Sequence, residues 1–235
     1  MPLFKITNSN ITDARNIRVK NPDLSHITRS LRAKINDILY FTNSEEIFKS
    51  RITMISKDIL EAHILSSRPV KKGNRTKLTL YIAMIKHSQF EMILNTATQL
   101  GVDTIIPMDT EFSCKIKASE EKLKRWNKII FESAKQSFNP SPPALKEMTS
   151  FTKAVAAGKN GILLHPDSAH SIKEHLDPKT SEVLNVYIGP EGGFSKHEIK
   201  LAQKNKINIV KLPYHILRTE TAVIAVISNI LFFYS

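Results

Sequence analysis

With 235 residues, the chain is long enough for one large domain or two modest ones. Its 41% hydrophobic and 24% charged residues are those of an ordinary soluble globular protein. A single cysteine, Cys114, excludes an intrachain disulfide and a cysteine-based zinc cluster, and fits a reducing, cytoplasmic compartment.

The N-terminus, Met1-Pro2-Leu3-Phe4-Lys5, has no apolar run suited to a signal peptide. The most apolar stretch, Ala222 to Tyr234, is interrupted by Ser228 and Asn229. It falls short of the roughly 20 residues of a membrane span and reads as a buried helix, so no membrane partner is expected. The net charge is +12 and is uneven, with 15 Lys and Arg against 7 Asp and Glu in residues 1–77. A basic first third points to a polyanion, most simply nucleic acid held through phosphates, because aromatics for base stacking are few there.

In chain order, residues 1–70 are β-rich, with strand-like runs at Leu3–Ile6, Asp37–Thr42, Glu46–Ile55 and Ile59–Leu65. A helix-like patch, Leu24–Leu31, interrupts them and gathers His26, Arg29 and Arg32. These three either touch RNA or form a plain surface patch. The polar, basic stretch 67–76, with Pro69 and Gly73, reads as a linker. From Lys77 the pattern changes. A strand at Leu78–Ile85 precedes a helix in which Phe90, Ile93, Leu94, Ala97 and Leu100 recur at helical spacing, with Gly101 where a C-cap belongs. A strand at Thr104–Ile106 and a helix of about 18 residues follow, the latter with Leu123, Trp126, Ile130 and Ala134 on one side. A Pro-rich break at 139–143 ends it. Next are strands at Gly161–Leu164 and 183–188, a helix from Ser195, a strand at 207–212 and a final helix. Strands alternating with helices predict an α/β fold with a parallel sheet covered by helices.

Two segments stand out. Gly189-Pro190-Glu191-Gly192-Gly193 follows one strand, and Leu217-Arg218-Thr219-Glu220-Thr221-Ala222 follows the next. Three glycines in five residues allow unusual backbone angles or close approach of a ligand to the main chain. Turns at the ends of neighbouring strands are where α/β proteins build ligand sites. There is no G-x-G-x-x-G and no P-loop motif, which argues against an ordinary Rossmann or P-loop nucleotide site.

The two segments, in this order and spacing, resemble the RsmE family of ribosomal RNA uridine-N3 methyltransferases, members of the SPOUT superfamily. The similarity extends to Leu100-Gly101-Val102 with Pro107, to Arg125-Trp126 with Ile129, to Glu132-Ser133-Ala134 with Gln136-Ser137, and to His26 with Leu31-Arg32. It implies a small PUA-like RNA-binding domain over residues 1–70, then a SPOUT domain over 71–235 with a C-terminal deep trefoil knot. It also implies S-adenosylmethionine as cofactor, held by Leu164-His165-Pro166, by Ile188 to Gly193 and by Leu212 to Ala222. Small-subunit ribosomal RNA, naked or in the assembled subunit, is the implied partner. So is a second copy of the chain, in a homodimer joined through the knot and the last helix.

The residues agree chemically with that expectation. Leu164, Ile188, Leu212, Ile216 and Leu217 can wall an apolar adenine slot, with Gly189, Gly192 and Gly193 exposing main chain. Methylation of uridine N3 needs the ring deprotonated, and the Arg218 guanidinium is the candidate to stabilise that anion. Glu220 either orients Arg218 or accepts the proton. Glu191, a carboxylate between glycines, has no packing role. Thr219 is either the N-cap of the last helix or a ligand contact. Ser195 and Glu198 are explained by a capping box. His165, His170 and His175 recur every five residues, which lines no single helical face, so no metal is expected. Departures from the family pattern fall at Thr96, Gln99, Phe112, Lys135, Phe138 and Asn139, and in a cofactor loop at Pro213 and His215.

Overall fold

A computed structural model describes residues 2–13, 15–21, 23–70, 76–116, 118–158, 160–176 and 183–234. The chain divides into two compact units, Met1–Gly73 with Ala134–Ser141, and Asn74–Ser133 with Pro142–Ser235.

The first unit is a six-stranded sheet in the order β1-β4-β5-β6-β3-β2. Its strands are β1 (Leu3–Lys5), β2 (Ile11–Thr12), β3 (Asn16–Val19), β4 (Ile38–Thr42), β5 (Glu46–Ile55) and β6 (Leu60–Pro69). β1 pairs with β4 in parallel, and the remaining pairs are antiparallel. Register shifts between Lys49 and Ser50 and between Ile52 and Met54 bend the long β5–β6 hairpin, as bulges do. Phe4, Ile17, Leu39, Phe41, Ile52 and Leu60 fill its core. A short helical turn, α1 (Asp23–Ser25), runs into a π-turn at His26–Ser30, with Leu24 and Ile27 buried. The later segment Ala134–Ser141 belongs to this unit: Lys135 Nζ lies 2.8 Å from Asp23 Oδ1, and the Phe138 ring meets Tyr40 edge-on.

Two expectations change here. β2 and β3 were not foreseen, because Ile11, Ile17 and Val19 are too few to set a period. Residues 67–69 of the expected linker continue β6, where Arg68 pairs with Ile47 and Pro69 with Glu46. Residues 71–75 lie outside the described residues.

The second unit is a parallel seven-stranded sheet in the order β10-β8-β7-β12-β11-β13, with β9 beside β8. The strands are β7 (Lys77–Ala83), β8 (Thr104–Asp109), β9 (Ala144–Leu145), β10 (Thr149–Ser150), β11 (Gly161–Leu164), β12 (Val183–Ile188) and β13 (Asn208–Val210). The helices are α2 (His87–Leu100), α3 (Glu120–Gln136), α4 (Phe151–Ala157), α5 (Lys196–Lys204) and α6 (Thr219–Phe233). Side chains alternate along the central strands with period two. Leu78, Leu80 and Ile82 of β7 and Leu184, Val186 and Ile188 of β12 enter one core with residues of α2 and α6. Tyr81 and Tyr187, stacked with centroids 4.6 Å apart, face the opposite core under α4 and α5. In α6, Val223, Val226, Ile227 and Ile230 are buried at helical spacing.

α2 ends at Gly101, whose φ of 81° is the left-handed conformation of a helix stop. α4, β9 and β10 were not anticipated, being too short for a periodic signal. β13 is shorter than its apolar run because Leu212 and Pro213 leave the sheet to build a loop.

Candidate active site

β11, β12 and β13 are parallel, and β11 lies between the other two. Their carboxyl ends therefore release three loops side by side, the arrangement in which open α/β sheets bind ligands. The loops enclose a cavity of about 190 Å³.

Most of the expected cofactor residues meet there. Leu164 and His165 come from the first loop, and Ile188, Gly189, Pro190, Glu191 and Gly193 from the second. Leu212, Ile216, Leu217, Thr219 and Ala222 come from the third. Pro166, Tyr214 and His215 complete the same loops. Lys211 also lines the cavity and was missed; its position directly after β13 was the available signal. Gly192, Arg218 and Thr221 do not line it.

Local bonds hold the loops. His165 N donates to Val210 O at 2.9 Å, and Lys211 N donates to His170 O at 2.9 Å. Gly193 N closes a turn onto Pro190 O at 2.9 Å, with Gly193 at φ +71°, in the left-handed region that favours glycine. Gly192 faces away from the cavity: a Cβ there would lie 3.1 Å from Phe112 Cβ. Beneath this loop α5 begins in the expected capping box, with Ser195 as N-cap. Glu198 does more than cap. It is buried, and its carboxylate accepts from Ser195 N and from Glu111 N, each at 2.9 Å. It thus ties the glycine loop to the loop after β8.

The last helix starts differently from expectation. Arg218 is the N-cap by backbone conformation, and Thr219 is the first helical residue. The Thr219 hydroxyl donates to Gly189 O instead of to its own helix. Arg218 is exposed, and its guanidinium has no hydrogen-bond or ion-pair partner among the described residues. Glu220 lies in the first turn of α6, where its charge suits the helix dipole. Its Oε2 is buried with no hydrogen-bond partner. No ion pair joins Glu220 to Arg218 among the described residues.

In the first unit, His26 and Arg29 line a surface concavity with Asn21 and Lys57, and the His26 ring packs edge-on against Phe4. Arg32 is exposed, with φ 53°, outside that concavity. Among the described residues no helix is long and apolar enough to cross a membrane.

Comparison with known proteins agrees with this geometry. The family model of the RNA methyltransferase domain matches residues 72–231. A ribosomal RNA small subunit methyltransferase E from Rickettsia conorii is 28% identical over 229 residues, covering 95% of this chain and 92% of that protein. The protein of the same name from Aquifex aeolicus is 32% identical over 162 residues, covering 66% of this chain and 69% of its own. Among solved structures, a Legionella pneumophila chain provisionally described as a methyltransferase, in complex with bound SAM, superposes with a TM-score of 0.86 at 25% identity. The alignment covers 99% of this chain and 97% of that one. A Neisseria gonorrhoeae ribosomal RNA small subunit methyltransferase E bound to S-adenosyl methionine shares the fold, with a TM-score of 0.87 at 22% identity over 100% of this chain and 98% of that one. The second unit accordingly has the α/β SPOUT fold, and the chain belongs to the RNA methyltransferase domain family, in its ribosomal RNA small subunit methyltransferase E branch.

Proposed function

We propose that this chain transfers a methyl group from S-adenosylmethionine to small-subunit ribosomal RNA, and that the acceptor is N3 of a uridine. The observation that carries the reading is the convergence of three strand-end loops on one cavity, with Arg218, unpartnered among the described residues, between two of its lining residues, Leu217 and Thr219.

The cavity suits the cofactor. Leu164, Ile188, Leu212 and Leu217 offer apolar walls for a flat base, and Glu191 supplies negative charge for a cationic ligand. Bound S-adenosylmethionine supplies an electrophilic methyl on a sulfonium. The chain's residues do the rest. Gly189 and Gly193 bring main chain against the ligand, and the Thr219–Gly189 bond fixes two of the loops relative to each other. Arg218 is free to pair with a uridine ring whose negative charge spreads over N3 and two carbonyl oxygens. Glu220 Oε2, buried and unpartnered, is the group available to accept the N3 proton. The target base must be unpaired or flipped out to reach the site.

The β-rich first unit, read as PUA-like, supports RNA binding through the basic patch of His26, Arg29 and Arg32. A homodimer through the knot and last helix is part of the same proposal. Ile216 and Phe232, each 86% exposed, are large apolar surfaces suited to a second copy.

The test is incorporation of labelled methyl into unmethylated small ribosomal subunits, naked ribosomal RNA and transfer RNA, with wild type and Arg218→Ala. Incorporation at uridine N3 of the ribosomal substrate, lost in the variant, is expected. Incorporation only into transfer RNA would assign another substrate. Tight RNA binding without any incorporation would make the chain a binding protein that has lost turnover.

A further inference from the structure

Beyond the cofactor loops, the segment after His165 gathers three side chains that the proposed methyl transfer does not use. We propose that His170, Glu174 and His175 form a binding site for a divalent transition-metal ion of the zinc class.

One ligand atom from each residue lies within 4.8 Å of those from the other two. A metal held at roughly 2.0–2.2 Å from each would draw them together by about 1 Å, within the rotamer freedom of surface side chains. His170 and Glu174 are exposed and His175 is half-buried, so the remaining coordination positions open to water. Two imidazoles and one carboxylate suit zinc, nickel or copper rather than magnesium or calcium.

Other roles account for only part of this cluster. Glu174 Oε1 accepts from Ser171 N at 3.1 Å in a capping box. That explains one carboxylate oxygen. The other, Oε2, faces His170 Nδ1 at 3.3 Å. The cap does not explain the second histidine. The His170 and His175 rings meet edge-on with centroids 5.5 Å apart. His175 Nε2 is buried and has no hydrogen-bond partner among the described residues. A buried imidazole nitrogen without a partner is unfavourable unless something is to be bound there.

The backbone beneath the cluster is fixed, as a metal site requires. His170 N donates to Ser168 Oγ at 3.1 Å, and Ser168 Oγ donates to Ile209 O at 2.8 Å. Ile172 N donates to Lys211 O at 3.1 Å, and Ile172 and Leu176 are buried on the far side. The segment that presents the two histidines is therefore anchored through Ser168, His170 and Ile172 to Ile209 and Lys211. The five-residue spacing fits no helical face; His170 precedes the 3₁₀ turn of Ile172–His175, and the extended backbone of Ser171 between them lets the two rings meet.

The test uses the full chain, freed of metal, titrated with Zn²⁺ by calorimetry and with Co²⁺ by visible absorbance. One equivalent with on the order of micromolar affinity is expected, and a cobalt spectrum of low-symmetry nitrogen and oxygen ligation. His170→Ala and His175→Ala should each weaken binding roughly tenfold or more, while His87→Ala, in a separate His–Glu pair, leaves it unchanged. Glu174→Gln preserves the capping box and removes the charged ligand, so it separates a metal role from a structural one. It too should weaken binding roughly tenfold. Absence of stoichiometric binding overturns the proposal, as does binding that survives these variants while their circular dichroism stays native.

Discussion

The Thr219 hydroxyl donates to the Gly189 carbonyl at 3.3 Å, across 30 residues of sequence. Both residues are buried and both line the cavity. The bond joins the first turn of α6 to the glycine loop after β12, so helix and loop move as one wall.

Thr219→Val keeps the shape and removes the donor. It leaves the Gly189 carbonyl buried and unpaired, at a cost of about 1–3 kcal/mol. The expected result is a lower urea midpoint with unchanged m-value and weaker binding of S-adenosylmethionine by calorimetry. Thr219→Ser should restore most of both. An unchanged midpoint in Thr219→Val would show that the bond does not hold the wall.

The glycines of the second loop should respond unequally. A Cβ on Gly193 meets nothing within 4 Å, so Gly193→Ala carries only the strain of φ +71°, about 1–2 kcal/mol. A Cβ on Gly189 would lie 3.1 Å from Phe194 Cε2 and 3.2 Å from the Gly193 carbonyl carbon. Because the second neighbour is backbone, the loop itself must shift. Cofactor affinity should therefore fall further in Gly189→Ala, by roughly tenfold or more, corresponding to about 1.4 kcal/mol. Parallel calorimetric titrations of the two variants decide this, and equal losses would contradict it.

Glu198→Gln should destabilise the protein although size is conserved. The carboxylate accepts two backbone N–H bonds, from Glu111 and Ser195. An amide must turn one NH₂ towards an N–H donor, leaving both without an acceptor. The loss is about 1–3 kcal/mol, read as a shift in the urea midpoint. A silent substitution would mean that the two loops are held by other contacts.

The buried tyrosine pair sets an alkaline limit. Burial raises the Tyr187 hydroxyl well above its ordinary range, with the neighbouring Tyr81 adding to it, and burial raises Tyr81 as well. In the unfolded chain both ionise near pH ~10. Their folded values are raised, so the stability they contribute is complete below that pH and is lost as pH rises towards the folded values. Stability should thus fall progressively above about pH 10. In a near-ultraviolet pH titration, two of the five tyrosines should ionise only together with unfolding. Tyr187→Phe should flatten that dependence while removing the bond from Tyr187 Oη to Ala154 O at 3.1 Å.

Much of the site was legible because it depends on residues that are odd locally. Glycines at 189 and 193 make no sense as packing and follow the end of β12, and the polar Arg218–Thr221 run stands out where it opens the apolar α6. The alternation along β7 and β12 was equally plain, since each strand is long enough to show its period. What escaped has long range or short extent. The Glu198–Glu111 bond spans 87 residues, so a capping box is all that Ser195 and Glu198 reveal by themselves. Gly192 looks like its neighbouring glycines in sequence, yet it is Phe112 that occupies the space next to it. Strands of two residues such as β9 and β10 exist only because β8 is already there to pair with them. Ser67 to Pro69 read as linker because that end of β6 is exposed and polar, and only pairing with β5 makes it strand. His170 and His175 lie five residues apart, a spacing that lines no helical face, and they come close only because Ser171 between them is extended.

The pairing of β7 with β12 has a consequence for how the protein is made. Lys77 to Ile82 align with Val183 to Ile188, so two central neighbours in the sheet leave the ribosome roughly a hundred residues apart. At ~5–20 residues per second, the β7 edge waits on the order of 5–20 s for its partner. Throughout that interval an apolar strand in the middle of the future sheet is an open template for wrong pairing. Yield in the cell should consequently depend on translation pace and chaperone supply more than on the stability of the finished fold.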